Sequence, residues 1–250
     1  MRVATVQFCP VFRDQPGNIK RLSELVIRAA EAGAQLVVLP ELATTGYSFM
    51  NRAEAEPYAE VLQYPSDARH SSFRVFRALA NKHSIHIAWG LVERSQGTGN
   101  LFNSQVLMCP SGDFETYQKC NLWGNDWLWA TEGRANPPVR KITVNGKSYK
   151  VGLLICRDVR DKAENRDCLY EPGDADVVVY SANWGDGGFP ATAWIGFAKS
   201  NRTTLVVANR YGREANNDFG EGGICIIRPD RSVNCDGLVW SQDCIVYGDV

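Results

Sequence analysis

Three reactive side chains each follow a short apolar run in this sequence. Glu41 comes after LVVLP, Lys119 after FETYQ, and Cys156 after VGLLI. An apolar strand that ends in a reactive side chain is how an α/β enzyme presents chemistry from a rigid scaffold. The pattern therefore predicts a hydrolase with a cysteine nucleophile.

Attack on an amide carbonyl is the chemistry that these side chains support. A thiol attacks as its thiolate, so Cys156 needs a neighbouring base or a positive charge that lowers its pKa. We expect Glu41 to take the thiol proton while Lys119 stabilises the developing oxyanion. Ammonia or an amine then leaves. Glu41 next activates the water that hydrolyses the thioester.

Other interpretations of the same residues have to be weighed. A Cys–His dyad is the natural competitor, but no histidine follows a strand near a cysteine-bearing motif, and His83 and His86 are interpreted as structural. A single cysteine at a strand end is usually a small buried apolar residue. A single glutamate is usually a solvated loop charge, and a single lysine lies on the surface. Only the combination favours a catalytic site.

Composition limits the class of protein. The 250 residues, 44% hydrophobic, are compatible with one domain over residues 1–250. A net charge of -1 gives no sign of a nucleic-acid groove or a membrane-binding patch. MRVATVQFCPVF is typical of a first strand rather than a signal peptide, and no apolar run is long enough to span a bilayer. We expect a cytoplasmic protein.

The cysteines and histidines do not have the spacing of a metal site. No two of the eight cysteines form C-x-x-C, and the three histidines lie together, far from most of them. Without an export signal, reduced thiols are expected. The sequence predicts no structural metal.

The pattern of apolar residues predicts the elements that must position the three side chains. An alternating strand at about residues 2–8 precedes an amphipathic helix from Asn18 to Ala32, which Gly33 ends. A buried strand from Gln35 to Leu39 leads to Glu41. A second helix is predicted from Ser71 to His83. Strands at about 85–92 and 102–109 then form a meander with FETYQK, which leads to Lys119.

A long loop and a hairpin precede the cysteine. Residues 120–138 are rich in Trp, Asn, Gly and Pro and have no clear period, which predicts a functional loop. Arg140–Val144 and Ser148–Ile155 flank Asn145-Gly146, a strong hairpin signal, and the second arm leads to Cys156. Beyond it we expect a strand in ADVVVYSAN, a helix in ATAWIGFAKSN, and strands in TTLVVANR, GGICIIRP and CIVYG. This mixture predicts two packed sheets covered by helices.

At this point the chain resembles the nitrilase, or carbon-nitrogen hydrolase, superfamily over nearly its whole length. LVVLPELATTGYSF is similar to the family's glutamate segment, and GDFETYQKCNLW to its Y-R-K segment, with Gln118 in place of the usual Arg. VGLLICRDVR matches the nucleophile segment, including Asp158 and Arg160. Weaker matches are LFNSQVLMCPSG, SANWGDGG, ATAWIGFAKSN and VVANRYGRE.

The resemblance implies properties that the residues alone do not. It implies an αββα sandwich, a Glu41–Lys119–Cys156 triad, no metal or organic cofactor, and dimers in which helical layers pack together. It also implies that the oxyanion donors are Lys119 and the backbone N–H of Arg157.

The sequence departs from the family pattern near the site. Many members carry a second glutamate after the lysine, and here the best-placed acid is Asp126, with Glu132 as the alternative. The shorter carboxylate of Asp126 would shift the site or admit a water. The residue after the nucleophile is usually aromatic, but here it is Arg157, which would bind a substrate carboxylate or pair with Asp161 or Glu164.

Aromatic and amide side chains in these motifs are candidates for the pocket wall. Trp123, Trp127, Trp129 and Trp184 are near the triad in the motifs, although some of them must belong to the core. With Arg157, the predicted substrate-binding residues are Tyr47, Trp123, Trp127, Asn183 and Trp184.

The triad does not choose among nitriles, primary amides, N-carbamoyl amines, secondary amides and acyl transfer. Primary-amide hydrolysis is the expectation, since short members of the superfamily are most often amidases. PELATTGYSFMNRAEAEPY also resembles amidases that deamidate an N-terminal asparagine of proteins, so the substrate is a small amide or a peptide N-terminus. A catalytically inactive binding protein is the alternative of another class.

Overall fold

Two six-stranded sheets of mixed direction form the centre of the computed structural model, which describes residues 1–62, 71–160, 175–185 and 188–250. The first sheet contains β1 (Arg2–Gln7), β2 (Leu36–Val38), β3 (His86–Arg94), β4 (Leu101–Met108), β5 (Phe114–Gln118) and β14 (Cys244–Asp249). The second contains β6 (Val139–Val144), β7 (Lys147–Ile155), β8 (Val177–Ser181), β9 (Thr204–Ala208), β12 (Cys225–Ile227) and β13 (Val233–Asn234). Their spatial orders are β14-β1-β2-β3-β4-β5 and β13-β12-β9-β8-β7-β6.

Both sheets combine parallel central strands with antiparallel outer strands. In the first, β1, β2 and β3 are parallel, and in the second, β7, β8 and β9 are parallel. The remaining described pairs are antiparallel hairpins or edges, including β6–β7 around the predicted Asn145-Gly146 turn. A separate two-stranded ribbon joins β10 (Arg213–Glu214) to β11 (Asn217–Asp218).

Helices cover the outer faces of the sheets. The covering helices are α1 (Gln15–Glu31), α3 (Ser72–His83) and α5 (Thr192–Asn201). Two short helices, α2 (Arg52–Ala55) and α4 (Asp126–Trp129), contribute to a separate core cluster. Leu22 and Val26 of α1 and Phe76 of α3 pack with β1 on the first sheet. Trp194 of α5 packs in the cluster that contains the second sheet. The architecture is therefore the expected αββα arrangement of two sheets between helical layers.

The helix boundaries follow from their capping residues. Asp14 accepts a hydrogen bond from the Gly17 N–H at the start of α1, which begins at Gln15 rather than the predicted Asn18. At α3, Ser71 caps the helix, and the buried carboxylate of Glu60 accepts bonds from the backbone N–H groups of Ser72 and Phe73. A carboxylate at this end of the helix also complements the helix dipole.

Polar side chains link the two sheets inside an otherwise apolar interface. Gln105 of β4 donates to the Val179 carbonyl (3.2 Å) and to the Ser181 hydroxyl (2.7 Å), and it accepts the Leu154 N–H (3.0 Å). Ser181 in turn donates to the Leu39 carbonyl at 2.7 Å. Leu39 and Leu154 each lie two residues before a candidate catalytic residue, so this network connects the two strands that deliver them.

Some expectations are corrected by the structure. Helix α4 lies in the segment 120–138, which the sequence predicts as a loop, and α2 lies in a segment for which no element was predicted. Six of the described cysteines are free, but Cys120 is disulfide-bonded, so the prediction of reduced thiols is wrong there. Across the described ranges, no helix has the length and apolar character needed to cross a membrane. The same ranges contain no cluster of three or more His, Cys, Asp or Glu side chains arranged for a metal ion.

Candidate active site

The ends of strands from both sheets deliver the three predicted catalytic residues. Glu41 follows β2 through Leu39 and Pro40, and Lys119 follows β5 directly, so both come from the first sheet. Cys156 follows β7 of the second sheet. Gly90 of β3 lets its strand approach the Glu41 backbone, since a Cβ at residue 90 would lie 2.7 Å from the Glu41 Cα.

Lys119 lies between two carboxylates. Its Nζ is 2.7 Å from Glu41 Oε1 and 2.6 Å from Asp126 Oδ2, and all three side chains are fully buried. Asp126 thus contacts Lys119 directly, and neither a displaced site nor an intervening water is needed. Glu132, the alternative acid, is only partly buried, and the structure places Asp126 on the lysine instead.

Asn103 of β4 connects the two carboxylates. Its Nδ2 donates to Glu41 Oε1 at 2.7 Å and to Asp126 Oδ1 at 3.1 Å. Asp126 Oδ2 also accepts the Trp123 N–H at 3.2 Å. By contrast, Glu41 Oε2 is buried and has no hydrogen-bond partner in the described part of the structure. One oxygen of Glu41 is therefore fixed, and the other is available to accept a proton.

The charges of this cluster shift its pKa values. Burial raises the pKa of Glu41 above its usual value, against the opposing effect of Lys119. Burial alone would lower the pKa of Lys119, but the adjacent Asp126 and Glu41 raise it well above its usual value. Lys119 is consequently a permanent cation, while the basicity of Glu41 is increased.

Cys156 occupies a sharp turn at the end of its strand. Its φ is 44°, in the left-handed region, and a 3₁₀ turn (Cys156–Val159) starts there. The Tyr180 hydroxyl donates to the Cys156 carbonyl at 2.8 Å. Burial and the charge of Glu41 raise the pKa of the thiol well above its usual value, while Lys119 and a hydrogen bond from the Asn183 backbone N–H act to lower it. The thiol is therefore protonated at neutral pH and needs a base.

A pocket of about 130 Å³ opens beside Cys156. Its wall includes five of the six predicted substrate-binding side chains, which are Tyr47, Trp123, Arg157, Asn183 and Trp184. A second cavity, of about 440 Å³, adjoins it and shares Trp184, Gly185 and Phe219. The walls of this cavity are largely aromatic, with Phe189, Trp194 and Trp240.

Two arginines stack on tryptophans at the pocket. The Arg157 guanidinium lies 3.9 Å from the centre of the Trp123 ring, and Arg160 lies 4.8 Å from that of Trp184. The positive guanidinium is attracted to the electron-rich face of the ring, so each contact stabilises the positions of both side chains. Tyr47 donates its hydroxyl to the Trp123 carbonyl, which fixes this side of the wall. The predicted partners of Arg157, Asp161 and Glu164, lie outside the described residues.

Two of the four tryptophans do not line the pocket. Trp127 is 61% exposed and lies outside the pocket wall, which argues against its predicted role in substrate binding. It belongs to α4, whose buried face is formed by Asp126 and Trp129. Trp129 packs in a core cluster with Phe49, 5.8 Å between ring centres.

Sequence reasoning missed several residues of the site. Asn103 carries a signal that was available, because it is a polar residue in the apolar strand β4. Asn217, Asp218 and Phe219 also line the pocket, but they lie in or next to the short strand β11, and the sequence there has no periodic pattern. The buried Glu214 was missed as well. It accepts the backbone N–H groups of Tyr47 and Ser48, both at 2.7 Å, and pairs with the buried Arg210 at 2.8 Å.

The fold is an αββα sandwich, and its candidate site contains a buried glutamate, lysine and cysteine. The sequence profile of the carbon-nitrogen hydrolase family matches residues 2–230. The chain therefore belongs to the carbon-nitrogen hydrolase family of the nitrilase superfamily.

Relatives with assigned names span several activities of this family. A nitrilase of Pyrococcus abyssi is 29% identical, over 86% of this chain and 76% of the relative. An (R)-stereoselective amidase of a Pseudomonas species is 26% identical, over 92% of this chain and 78% of the relative. A protein N-terminal amidase of Schizosaccharomyces pombe is 30% identical, over 64% of this chain and 55% of that protein.

A solved structure with the same fold is an amidase of Nesterenkonia sp. AN1. It superposes with a TM-score of 0.77 at 22% identity, covering 100% of this chain and 92% of that one. Mutants of that amidase have been solved with acrylamide added to the active-site cysteine and, separately, with butyramide.

Proposed function

We propose that this protein is an amidohydrolase that releases ammonia from small primary amides through a thioester on Cys156. The observation that carries the proposal is the asymmetry of Glu41. Its Oε1 is held by Lys119 and Asn103, while its buried Oε2 has no partner among the described residues. A carboxylate held through one oxygen, with a raised pKa, is suited to take a proton and return it.

The proposed mechanism uses this asymmetry in two halves. Glu41 Oε2 takes the Cys156 proton as the sulfur attacks the amide carbon, and then delivers it to the departing nitrogen. Ammonia leaves and the acyl group stays on sulfur. Glu41 then takes a proton from water, whose oxygen attacks the thioester, and returns that proton to the thiol as the carboxylic acid leaves.

Lys119 supplies the positive charge in both halves. Each tetrahedral intermediate carries a negative oxygen, which the Nζ ammonium stabilises together with the Arg157 backbone N–H that the family resemblance implies. Because the carboxylates on either side hold the pKa of Lys119 high, it remains a cation throughout. Asp126, which is paired with Lys119 and Asn103, positions the ammonium and does not exchange protons with substrate.

The small pocket supports a small substrate. A volume of about 130 Å³ beside Cys156 fits a short acyl group, whereas a larger one would have to extend into the adjoining cavity of about 440 Å³. The amidase of the same fold, solved with butyramide, agrees with this choice. The assignment to amides rather than nitriles is ours, because the named relatives include both a nitrilase and an amidase.

The test is ammonia release from a panel of substrates. The panel contains small aliphatic amides, ω-amides of dicarboxylates, N-carbamoyl amino acids, nitriles, and peptides with N-terminal Asn or Gln. We expect release from small aliphatic amides, loss of that release in Cys156→Ala, and its retention in Cys225→Ala, which removes another buried thiol. Release from nitriles alone, or release that survives in Cys156→Ala, would refute the proposal.

A second candidate function is deamidation of a peptide N-terminus. It is favoured by the 30% identity to the S. pombe protein N-terminal amidase. The pocket wall also includes the carboxylate-bearing Asp218, which would attract an α-ammonium group. In the same panel, release from Asn-initiated peptides that exceeds release from butyramide would favour this function over the first.

A further inference from the structure

The carboxamide of Asn183 is buried and unpaired. Asn183 lies two residues after the end of β8 and is 8% exposed. Neither its Nδ2 nor its Oδ1 has a hydrogen-bond partner in the described part of the structure. Buried polar atoms are nearly always paired, because leaving them unpaired costs free energy. A free donor and a free acceptor on one side chain therefore require an explanation.

The position of Asn183 points to a ligand. Its side chain lines the pocket that contains Cys156, and its backbone N–H acts to lower the pKa of the Cys156 thiol. The next residue, Trp184, is anchored to Asn209 by hydrogen bonds of 2.8 and 3.1 Å. The backbone around Asn183 is thus held in place beside the nucleophile, while its carboxamide is left open.

Other polar side chains of the pocket wall are already bonded. The Nδ2 of Asn217 donates to Ser48 and Asn125. Asp218 pairs with Arg213 at 2.8 Å and accepts the Gly220 N–H. Asn183 differs from both, because only a ligand in the pocket can supply hydrogen-bond partners for its carboxamide.

We propose that Asn183 binds the substrate carboxamide edge-on and makes the pocket selective for amides over nitriles. Its Oδ1 accepts an N–H of the scissile amide, and its Nδ2 donates to the carbonyl oxygen on the same edge. A primary amide offers one donor and one acceptor on that edge. A nitrile nitrogen accepts but cannot donate, so it leaves Oδ1 unpaired. This inference rests on the proposed function and deepens it.

The first experiment compares butyramide with butyronitrile in Asn183→Leu, which keeps a similar size without polar atoms. We expect kcat/KM for the amide to fall by about tenfold or more relative to the nitrile. Asn81→Leu, an exposed substitution on α3, is the matched control. Asn183→Leu should also unfold at the same or a higher denaturant concentration than the wild type, because it removes unpaired buried polar atoms. A structural role for Asn183 predicts the opposite shift.

The second experiment measures binding without turnover, by ligand-observed NMR. Butyramide should bind Cys156→Ala at least about tenfold more tightly than it binds Cys156→Ala/Asn183→Leu, whereas butyronitrile should bind both alike. Equal losses for both ligands would overturn the inference. Malonamide, which carries a second carboxamide, is measured as well. A loss of affinity confined to malonamide would also overturn the inference, since Asn183 would then contact the second polar group and not the scissile amide.

The two proposals fail in different ways. If the wild type releases no ammonia from any amide, the proposed function fails, and the NMR comparison in the Cys156→Ala background still decides the role of Asn183. If the wild type hydrolyses butyramide and Asn183→Leu leaves the amide-to-nitrile ratio unchanged, only the inference about Asn183 fails.

Discussion

At the scale of single residues, the site is an ammonium shared by two carboxylates next to a protonated thiol. In the proposed mechanism, Glu41 is the group whose titration controls activity. Below its pKa, Glu41 carries a proton and cannot accept one from Cys156. Lys119 does not limit activity at alkaline pH, because its pKa is held well above the usual value and it keeps its charge.

The first prediction concerns the pH profile of kcat/KM for the amide substrate. It should rise with pH through the raised pKa of Glu41 and then stay level past about pH 9, because Lys119 remains charged. Steady-state kinetics across this range check it, with the exposed Glu24→Gln on α1 as control. A profile that continues to rise toward the pKa of an ordinary thiol would mean that the thiolate forms without Glu41.

The second prediction concerns Lys119→Met. This change removes the oxyanion cation and leaves Glu41 and Asp126 buried without their partner. We expect turnover to vanish and the free energy of unfolding to fall by about 3–5 kcal/mol. The loss should shrink at low pH, where Glu41, whose pKa is raised, takes up a proton and its repulsion with Asp126 disappears.

Denaturant titrations at two pH values, with a parallel activity assay, measure both effects. Lys119→Met/Asp126→Asn should recover part of the stability but none of the activity, and Lys141→Met on β6, an exposed lysine, is the control. Near-normal turnover in Lys119→Met would remove the lysine from the mechanism.

At the scale of elements, a buried ion pair holds the loop that carries Tyr47. Glu214 of β10 binds the backbone N–H groups of Tyr47 and Ser48, and Arg210 neutralises it. The Arg210 guanidinium also lies 4.0 Å from the centre of the Phe219 ring. Tyr47 and Phe219 both line the pocket, so one ion pair shapes two parts of its wall.

The third prediction is that Glu214→Gln raises KM more than it lowers kcat. The change should loosen the pocket wall without touching the reacting atoms, and it leaves Arg210 as an unpaired buried charge. The free energy of unfolding should fall by about 3–5 kcal/mol. Steady-state kinetics and urea denaturation are the measurements.

A double variant separates positioning from stability. Arg210→Met/Glu214→Leu removes both charges and should regain much of the stability, while KM stays high because Leu has no oxygen to accept the Tyr47 N–H. The matched control is Glu221→Gln, a substitution of an exposed glutamate. Full recovery of KM in the double variant would show that the ion pair stabilises the fold without positioning Tyr47.

Much of the element order was predictable because apolar strands have a strong signal. The runs before Glu41 and Cys156 are buried strands, as their composition predicts, whereas the run before Lys119 forms a strand that is only partly buried. Helix α4 was not predicted, because it is short and its burial of Asp126 and Trp129 depends on Lys119 and the core below it. Asn103 was missed for a similar reason. Its polarity within β4 was visible, but its contact with Glu41, which is distant in sequence, was not.

At the scale of the whole molecule, the proposed catalytic residues come from two sheets that must stay in register. Glu41 and Lys119 belong to the first sheet and Cys156 to the second. The hydrogen bonds of Gln105 and Ser181 join Leu39, two residues before Glu41, to Leu154, two residues before Cys156. Apolar contacts pack the sheets together, but they are less directional than these bonds.

The fourth prediction is that Gln105→Leu lowers kcat as well as stability. The change leaves the Leu154 N–H without its partner inside the protein, which should cost about 1–3 kcal/mol. It also frees the strand of Cys156 to shift against that of Glu41. Thermal unfolding and kcat measure the two effects.

The matched control is Thr116→Val on β5. The Thr116 hydroxyl is buried and has no partner in the described ranges, so its removal should leave stability unchanged or higher. Unchanged kcat in Gln105→Leu, despite lower stability, would show that the apolar contacts alone keep the sheets in register.

The left-handed backbone at Cys156 has a consequence for the stability of this protein. A side chain at φ 44° is disfavoured relative to glycine, which adopts this region without a steric cost. Cys156→Gly should therefore be inactive yet more stable than Cys156→Ala. The backbone strain at this position is therefore a cost in stability that the proposed nucleophile carries and that glycine would avoid.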